Sequence, residues 1–196
     1  MILRADITGL VLCGGRGARF GGRDKPLEEL AGKPLVQHVC ERLQPQVAAI
    51  VVSCNRNADL YARWADRIVV DARTGRGPLE GVLAGLRIAE TGHVFVCPGD
   101  APLLSERIVA RLAAALEDGS AQAAVPHDGV RTQHLFLLLR RALAERLARF
   151  LDAGGRAVHA FVDSLDAVPV DMADERATFF NVNTASELAA LAGAQE

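Results

Sequence analysis

At 196 residues, half of them apolar, the chain is long enough to bury a core of ordinary domain size. Its 22 Lys and Arg against 24 Asp and Glu give a net charge of −2, mixed in sign along the chain. That balance argues against a disordered charged tail or an arm that wraps nucleic acid.

The opening stretch MILRADITGLVL is interrupted by Arg4 and Asp6, and it lacks the continuous apolar core and cleavage site of a signal peptide. Apolar runs such as 135–139 are far too short to span a bilayer. A cytoplasmic protein with no membrane and no nucleic-acid partner is expected. Cysteines 13, 40, 54 and 97 show no CxxC spacing and read as reduced packing residues.

In chain order, Ile7–Leu12 reads as a strand, followed by the glycine-rich stretch LCGGRGARFGGRDK from Leu12 to Lys25. A helix is predicted over 34–43, with Pro in its first turn and Leu35, Val39 and Leu43 on one stripe. A second strand covers 48–53, a short helix 59–64 and a third strand 68–70, ending at Asp71. The next helix, 78–89, leads to a fourth strand over 93–97 and the turn Pro98-Gly99-Asp100. Ser105 reads as the cap of a helix through 116. Strands over 123–126 and 135–138, helices over 140–151 and 156–164, a strand over 167–170 and a helix over 184–192 complete the chain. Strands alternating with helices, several of the strands wholly apolar, predict a parallel α/β sheet covered by helices on both faces in one domain, 1–196. Ligands of such sheets bind beyond the carboxyl ends of the strands. There this sequence places the glycine loop, Ser53-Cys54-Asn55, Asp71 and Asp100.

The glycine loop fits neither of two familiar phosphate motifs. In a GxGxxG frame set by Gly15 and Gly17 the last position is Phe20, and a P-loop frame set by Gly17 and Gly22 continues with Arg23-Asp24. Its glycines can still turn several backbone N–H groups into one cavity, and Arg19 and Lys25 can neutralise oxygens. A solvated basic loop is the bland alternative. Asp100 reads either as a turn or cap residue or, beside a phosphate loop, as a Mg²⁺ ligand. Gly77 and Gly81, in GPLEG, open a helix where a ligand can approach the backbone closely. In FNVNT, 180–184, Asn183 or Thr184 suits a helix cap, whereas Asn181 has no capping role.

Leu12-Cys13-Gly14-Gly15 with Arg19, Gly21-Gly22 and Asp24-Lys25 resembles the LAGGxxxRMGGxDK signature of the molybdenum cofactor guanylyltransferases. The similarity continues through Gly32-Lys33-Pro34-Leu35, Asn55-Arg56, GPLEG, PGDAP at 98–102, Asp128-Gly129 with Arg131, Gly154 and Arg156, and FNVNT. It covers almost the whole chain. The resemblance implies a Rossmann-like three-layer α/β/α nucleotidyltransferase fold with a mostly parallel central sheet. It also implies Mg²⁺-dependent transfer of GMP from GTP to molybdopterin carrying molybdenum, with pyrophosphate released.

On the same ground Arg19, Lys25 and Asp100 are the catalytic residues, and Asp100 carries Mg²⁺. The nucleotide falls to Leu12, Cys13, Gly14, Gly15, Lys25, Ser53, Asn55, Asp71, Gly77, Gly81 and Asp100. Molybdopterin falls to Asp128, Arg131, Arg156, Asn181 and Asn183. Transient contacts with cofactor-delivery and molybdoenzyme-maturation proteins are implied as well. The sequence departs from the family at Ser53 (commonly Asn), Cys13 (Ala), Gln133-His134 (His-Pro) and Ala157 (often Arg). Cytidylyl transfer to the same cofactor, a sugar-phosphate nucleotidyltransferase and a catalytically silent nucleotide-binding protein are the rival readings.

Overall fold

The structure, a computed structural model, describes residues 1–14, 24–70, 77–117 and 119–193. In chain order the strands are β1 (Ile7–Leu12), β2 (Glu29–Leu30), β3 (Lys33–Pro34), β4 (Ala49–Ser53), β5 (Arg67–Val69), β6 (His93–Pro98), β7 (Ala123–His127), β8 (Leu137–Arg140) and β9 (Ala167–Asp171). The helices are α1 (Leu35–Leu43), α2 (Ala58–Tyr61), α3 (Pro78–Ile88), α4 (Ile108–Ala114), α5 (Ala144–Asp152), α6 (Val158–Asp163) and α7 (Ala185–Gly193).

Among the described residues, seven strands form one sheet in the order β5-β4-β1-β6-β8-β7-β9. β1 pairs in parallel with β4 and β6, β4 with β5, and β7 with β9. Only β8 runs antiparallel, against β6 and β7. The segment 128–136 between β7 and β8 is too short for a crossover, which takes about a dozen residues or more, so the chain turns straight back. The chain moves outward from β1 to β4 and β5, then returns to β6 on the other flank of β1. That reversal creates a crevice at the carboxyl ends of β1 and β6.

The apolar strands follow from burial on both faces. Val11, Val52, Phe95, Cys97 and Leu138 pack under α1 and α4 with Val39, Leu43, Ile108 and Leu112. Their neighbours Leu10, Val51, Val94, Val96, Leu137 and Leu139 pack on the other face with Leu79, Val82, Leu86, Leu147 and Phe161. A Cβ on Gly85 would stand 2.4 Å from Leu10 Cδ2, so only glycine lets α3 lie this close to β1.

Several boundaries differ from the sequence reading for local reasons. Ser105 Oγ accepts the Arg107 N–H at 3.0 Å, holding a turn, and α4 begins only at Ile108. The expected strand over 135–138 starts at Leu137, because Phe136 N–H closes a turn on the Gln133 carbonyl. The helix expected over 59–64 is a single turn. The β2–β3 hairpin, with Ala31 and Gly32 at positive φ, and the 3-10 stretch Ala173–Phe179 are elements that the apolar periodicity does not mark. α7 then packs Leu188, Leu191 and Ala192 against Leu30, Leu35 and Val182, returning the C-terminal segment to the start of the chain. Among the described residues no helix is long and apolar enough to cross a membrane.

Candidate active site

Parallel register aligns the carboxyl ends of three strands, with Leu12 opposite both Ser53 and Pro98. Beyond those ends the backbone is stitched together: Cys13 N–H donates to the Ser53 carbonyl at 2.8 Å and Gly99 N–H to the Leu12 carbonyl at 2.9 Å. The Cys13 amide is therefore committed within the protein. Gly14 carries the chain past Asn55, whose Nδ2 lies 3.8 Å from where a Gly14 Cβ would stand. Gly99 has no room for a side chain, since a Cβ there would meet Cys13 Sγ at 2.5 Å. Gly15, Arg19 and Asp71 lie outside the described residues.

Lys25 and Asp100, far apart in the chain, form an ion pair in this crevice. Asp100 is buried, and its Oδ1 has no hydrogen-bond partner. The Lys25 ammonium also donates to Asn183 Oδ1 at 3.1 Å. Asn183 is fixed from behind, because its Nδ2 donates to the Asn181 carbonyl and its N–H to Glu187 Oε2. Thr184 caps α7, with Oγ1 accepting the Glu187 N–H while Glu187 Oε2 accepts the Thr184 N–H. Capping thus falls to Thr184 and leaves the Asn183 side chain to Lys25. Val182 N–H donates to the Asp100 carbonyl at 3.0 Å, tying FNVNT to the Asp100 turn. The buried Asn181 Oδ1 has no hydrogen-bond partner.

Gly77, at φ +91, is the N-cap of α3, and a Cβ there would lie 3.7 Å from the Arg156 carbonyl. Gly81 is buried in the first turn of that helix. Arg156 turns its guanidinium onto the end of α5, with Nη1 donating to the Leu151 carbonyl at 2.8 Å. Asp128 is occupied by its own loop: it accepts the Val130 and Arg131 N–H groups, both at 2.8 Å, and the Gln133 amide at 2.6 Å. Those donors, Arg131 N–H foremost, draw its carboxyl down to about 2. The Arg131 side chain is exposed beside it. His134 lies edge-on to His159, ring centroids 6.1 Å apart.

The four cysteines are free and buried. Burial pushes the Cys13 and Cys97 thiols well above the ordinary range, and Cys40 up to about 12, so they act as packing groups, not nucleophiles. Sequence reasoning missed two groups at the site. One is Glu80 in GPLEG, buried with its Oε1 unpartnered. The other is Asn57, whose Nδ2 donates to Asp24 Oδ2 at 2.9 Å. Neither has a local signature; each becomes visible only through burial and contact.

Residues 9–169 match the model of the MobA-like NTP transferase domain. A molybdenum cofactor guanylyltransferase of Cupriavidus metallidurans is 41% identical over 194 residues, covering 96% of this chain and 95% of its own. The crystal structure of molybdopterin-guanine dinucleotide biosynthesis protein A from Archaeoglobus fulgidus superposes with a TM-score of 0.79 at 25% identity, covering 96% of this chain and 98% of that one. The 2-C-methyl-D-erythritol 4-phosphate cytidylyltransferase of Thermus thermophilus shares the fold, with a TM-score of 0.72 at 18% identity over 95% of this chain and 97% of its own. The sheet, the crevice and the near full-length relatives lead to one conclusion: this chain is a nucleotidyltransferase and belongs to the MobA-like NTP transferase family, on the branch of the molybdenum cofactor guanylyltransferases.

Proposed function

We propose that the chain transfers GMP from GTP to the terminal phosphate of molybdopterin carrying molybdenum, releasing pyrophosphate. The observation that carries this reading is the meeting of Lys25, Asp100 and Asn183 in one crevice. It joins the glycine-loop signature to FNVNT, the two most distant motifs of the resemblance. We assign the N-terminal half to the nucleotide and the C-terminal half to molybdopterin, within one domain. Four buried free thiols suit a reducing compartment, the cytoplasm.

In this reaction the acceptor phosphate attacks the α-phosphorus of GTP in line with the departing pyrophosphate, so catalysis is mostly positioning and charge neutralisation. No enzymic nucleophile is needed. Lys25 and Arg19 neutralise the charge that gathers on the leaving group, and the backbone N–H groups of Gly14 and Gly15 hold the phosphates. Gly77 and Gly81 let the nucleotide approach the start of α3. Guanine presents N–H donors and calls for acceptors, which the second lone pair of the Leu12 carbonyl, Ser53, Asn55 and Asp71 supply. Asn181, with its unpartnered buried oxygen, Asn183, Arg131 on its Asp128-ordered loop, and Arg156 serve the pterin substrate.

Among the described residues no group of three or more His, Cys, Asp and Glu side chains is arranged to hold a metal. Mg²⁺ needs only one or two carboxylates when phosphate oxygens and water complete its shell, and the unpartnered Oδ1 of Asp100 suits it. Bound there by Asp100, Mg²⁺ would supply Lewis-acid polarisation of the phosphate oxygens.

Pyrophosphate release measured with each of the four NTPs, Mg²⁺ and Mo-molybdopterin tests the assignment. GTP is the expected substrate. Preference for CTP overturns the guanylyl reading, and no release with any NTP makes the protein a silent nucleotide binder.

A further inference from the structure

Lys25 reaches its partners from a backbone gripped on both sides. On its C-terminal side Pro26 is buried, with its Cβ 3.4 Å from where a Gly99 Cβ would stand, against the turn that carries Asp100. On its N-terminal side Asp24 is buried too, and its carboxylate reaches the β4–α2 loop. There Oδ2 accepts Asn57 Nδ2 at 2.9 Å and lies 3.5 Å from Arg56 Nε. The buried Tyr61 hydroxyl lies beside Asp24 without a hydrogen bond of good geometry.

Asn57 is itself an unusual anchor. It stands at φ 55, ψ 32, left-handed backbone that few residues besides Gly, Asn and Asp adopt readily. Its carbonyl accepts the Leu60 and Tyr61 N–H groups that start α2, while its side chain points back to Asp24. One residue thus ties a helix start to the returning end of the glycine loop.

We propose that Asp24 is a positioning residue for Lys25. Held by Asn57 and Arg56, it keeps the Lys25 Cα between the β4–α2 loop and the Asp100 turn, so the ammonium meets Asp100 and Asn183 without rearrangement. A lysine side chain has four rotatable bonds and considerable rotamer entropy. Tethering its backbone at one end only would let the charge wander, and a misplacement of about 1 Å can cost about 100-fold in rate. This inference rests on the phosphate-neutralising role of Lys25 proposed above.

The test is a double-mutant cycle in the pyrophosphate-release assay with GTP and Mo-molybdopterin, run beside thermal melts. Asp24→Ala is expected to lower kcat by about 30- to 100-fold, more than it raises the KM for GTP. Asn57→Gly, which tolerates the left-handed backbone and loses the amide, is expected to share this phenotype and covers the case in which Asp24→Ala folds poorly. Asp24→Asn keeps an acceptor for Asn57 and is expected to recover to within about tenfold of wild type. In a Lys25→Ala background, Asp24→Ala is expected to change kcat by no more than about twofold, because its effect runs through the missing amine. An equal loss from Asp24→Ala in both backgrounds overturns the proposal. So does a lowered Tm in Asp24→Ala and Asn57→Gly with wild-type kcat. Wild-type turnover by Lys25→Ala alone would remove Lys25 from the chemistry and the proposal with it, a pattern distinct from additive loss.

Discussion

Asp100→Asn keeps the shape of a side chain whose charge serves two ends, so it separates folding from chemistry. One carboxylate oxygen holds the Lys25 ammonium, and the other is buried without a partner. Breaking a fully buried ion pair costs about 3–5 kcal/mol, whereas an exposed pair is worth about 0–1 kcal/mol. Here the side chains are 24% exposed for Lys25 and 12% for Asp100, and Lys25 retains Asn183 Oδ1 at 3.1 Å. The ammonium can rehydrate, and a neutral amide relieves the unpartnered oxygen. The stability loss should therefore be about 1 kcal/mol, a fall in Tm of about 2–4 °C for a chain of this length.

Turnover obeys a different scale. Losing one preorganised charge-stabilising group in a reaction run on electrostatics costs about 10²–10³ in kcat, about 3–4 kcal/mol. Pyrophosphate release at saturating GTP, measured beside a thermal melt of the same preparation, reads both quantities. A kcat within about threefold of wild type refutes the catalytic assignment. A drop in Tm beyond about 10 °C refutes the claim that Asp100 is retained for chemistry more than for folding.

Three further outcomes follow from the packing. Burial raises the Cys13, Cys40 and Cys97 thiols, Cys40 to about 12, and the Tyr61 phenol as well, so the folded state keeps protons that the unfolded chain releases from about pH 9. Their contribution is complete below that pH and is lost as pH rises, at about 1.4 kcal/mol per unit for each fully titrating group. Urea midpoints should fall steeply between about pH 9 and 11, less steeply in Cys40→Ala, and a flat profile would contradict this account. Gly85→Ala drives a methyl into Leu10 and should cost about 1–3 kcal/mol; a wild-type Tm would show that α3 shifts freely on the sheet. Glu80→Leu replaces a buried carboxylate with an unpartnered oxygen by an apolar side chain and should raise stability by about 1 kcal/mol, whereas a lowered Tm would mean that Glu80 has a stabilising partner.

Much of the architecture is legible from local pattern. The alternation of apolar strands with amphipathic helices marks β1, β4, β6, α1 and α3, because burial on two faces demands unbroken apolar runs and one-sided helices. Boundaries differ where local turns intervene: the Ser105 hydroxyl holds a turn ahead of α4, and a backbone turn closed on the Gln133 carbonyl delays β8 to Leu137. The run LFLLL carries no sign of β8's antiparallel direction; the direction follows from the connection over 128–136, which is too short for a crossover.

The sequence alone determined the residue types from which the proposed site is drawn: a glycine-rich stretch ending in a lysine, a carboxylate at a strand end, and paired asparagines in FNVNT. These are properties of residue types and spacing. Tertiary structure decided which of them meet. α7 brings Asn183 onto Lys25 by packing Leu188 and Leu191 on Leu30 and Leu35. Parallel register sets Leu12 level with Pro98, placing Lys25 against Asp100. Asp24, beside Lys25 in the chain, takes its partner Asn57 from the β4–α2 loop. Such contacts join residues remote in sequence, and they form because distant apolar faces are buried together, which no local pattern encodes.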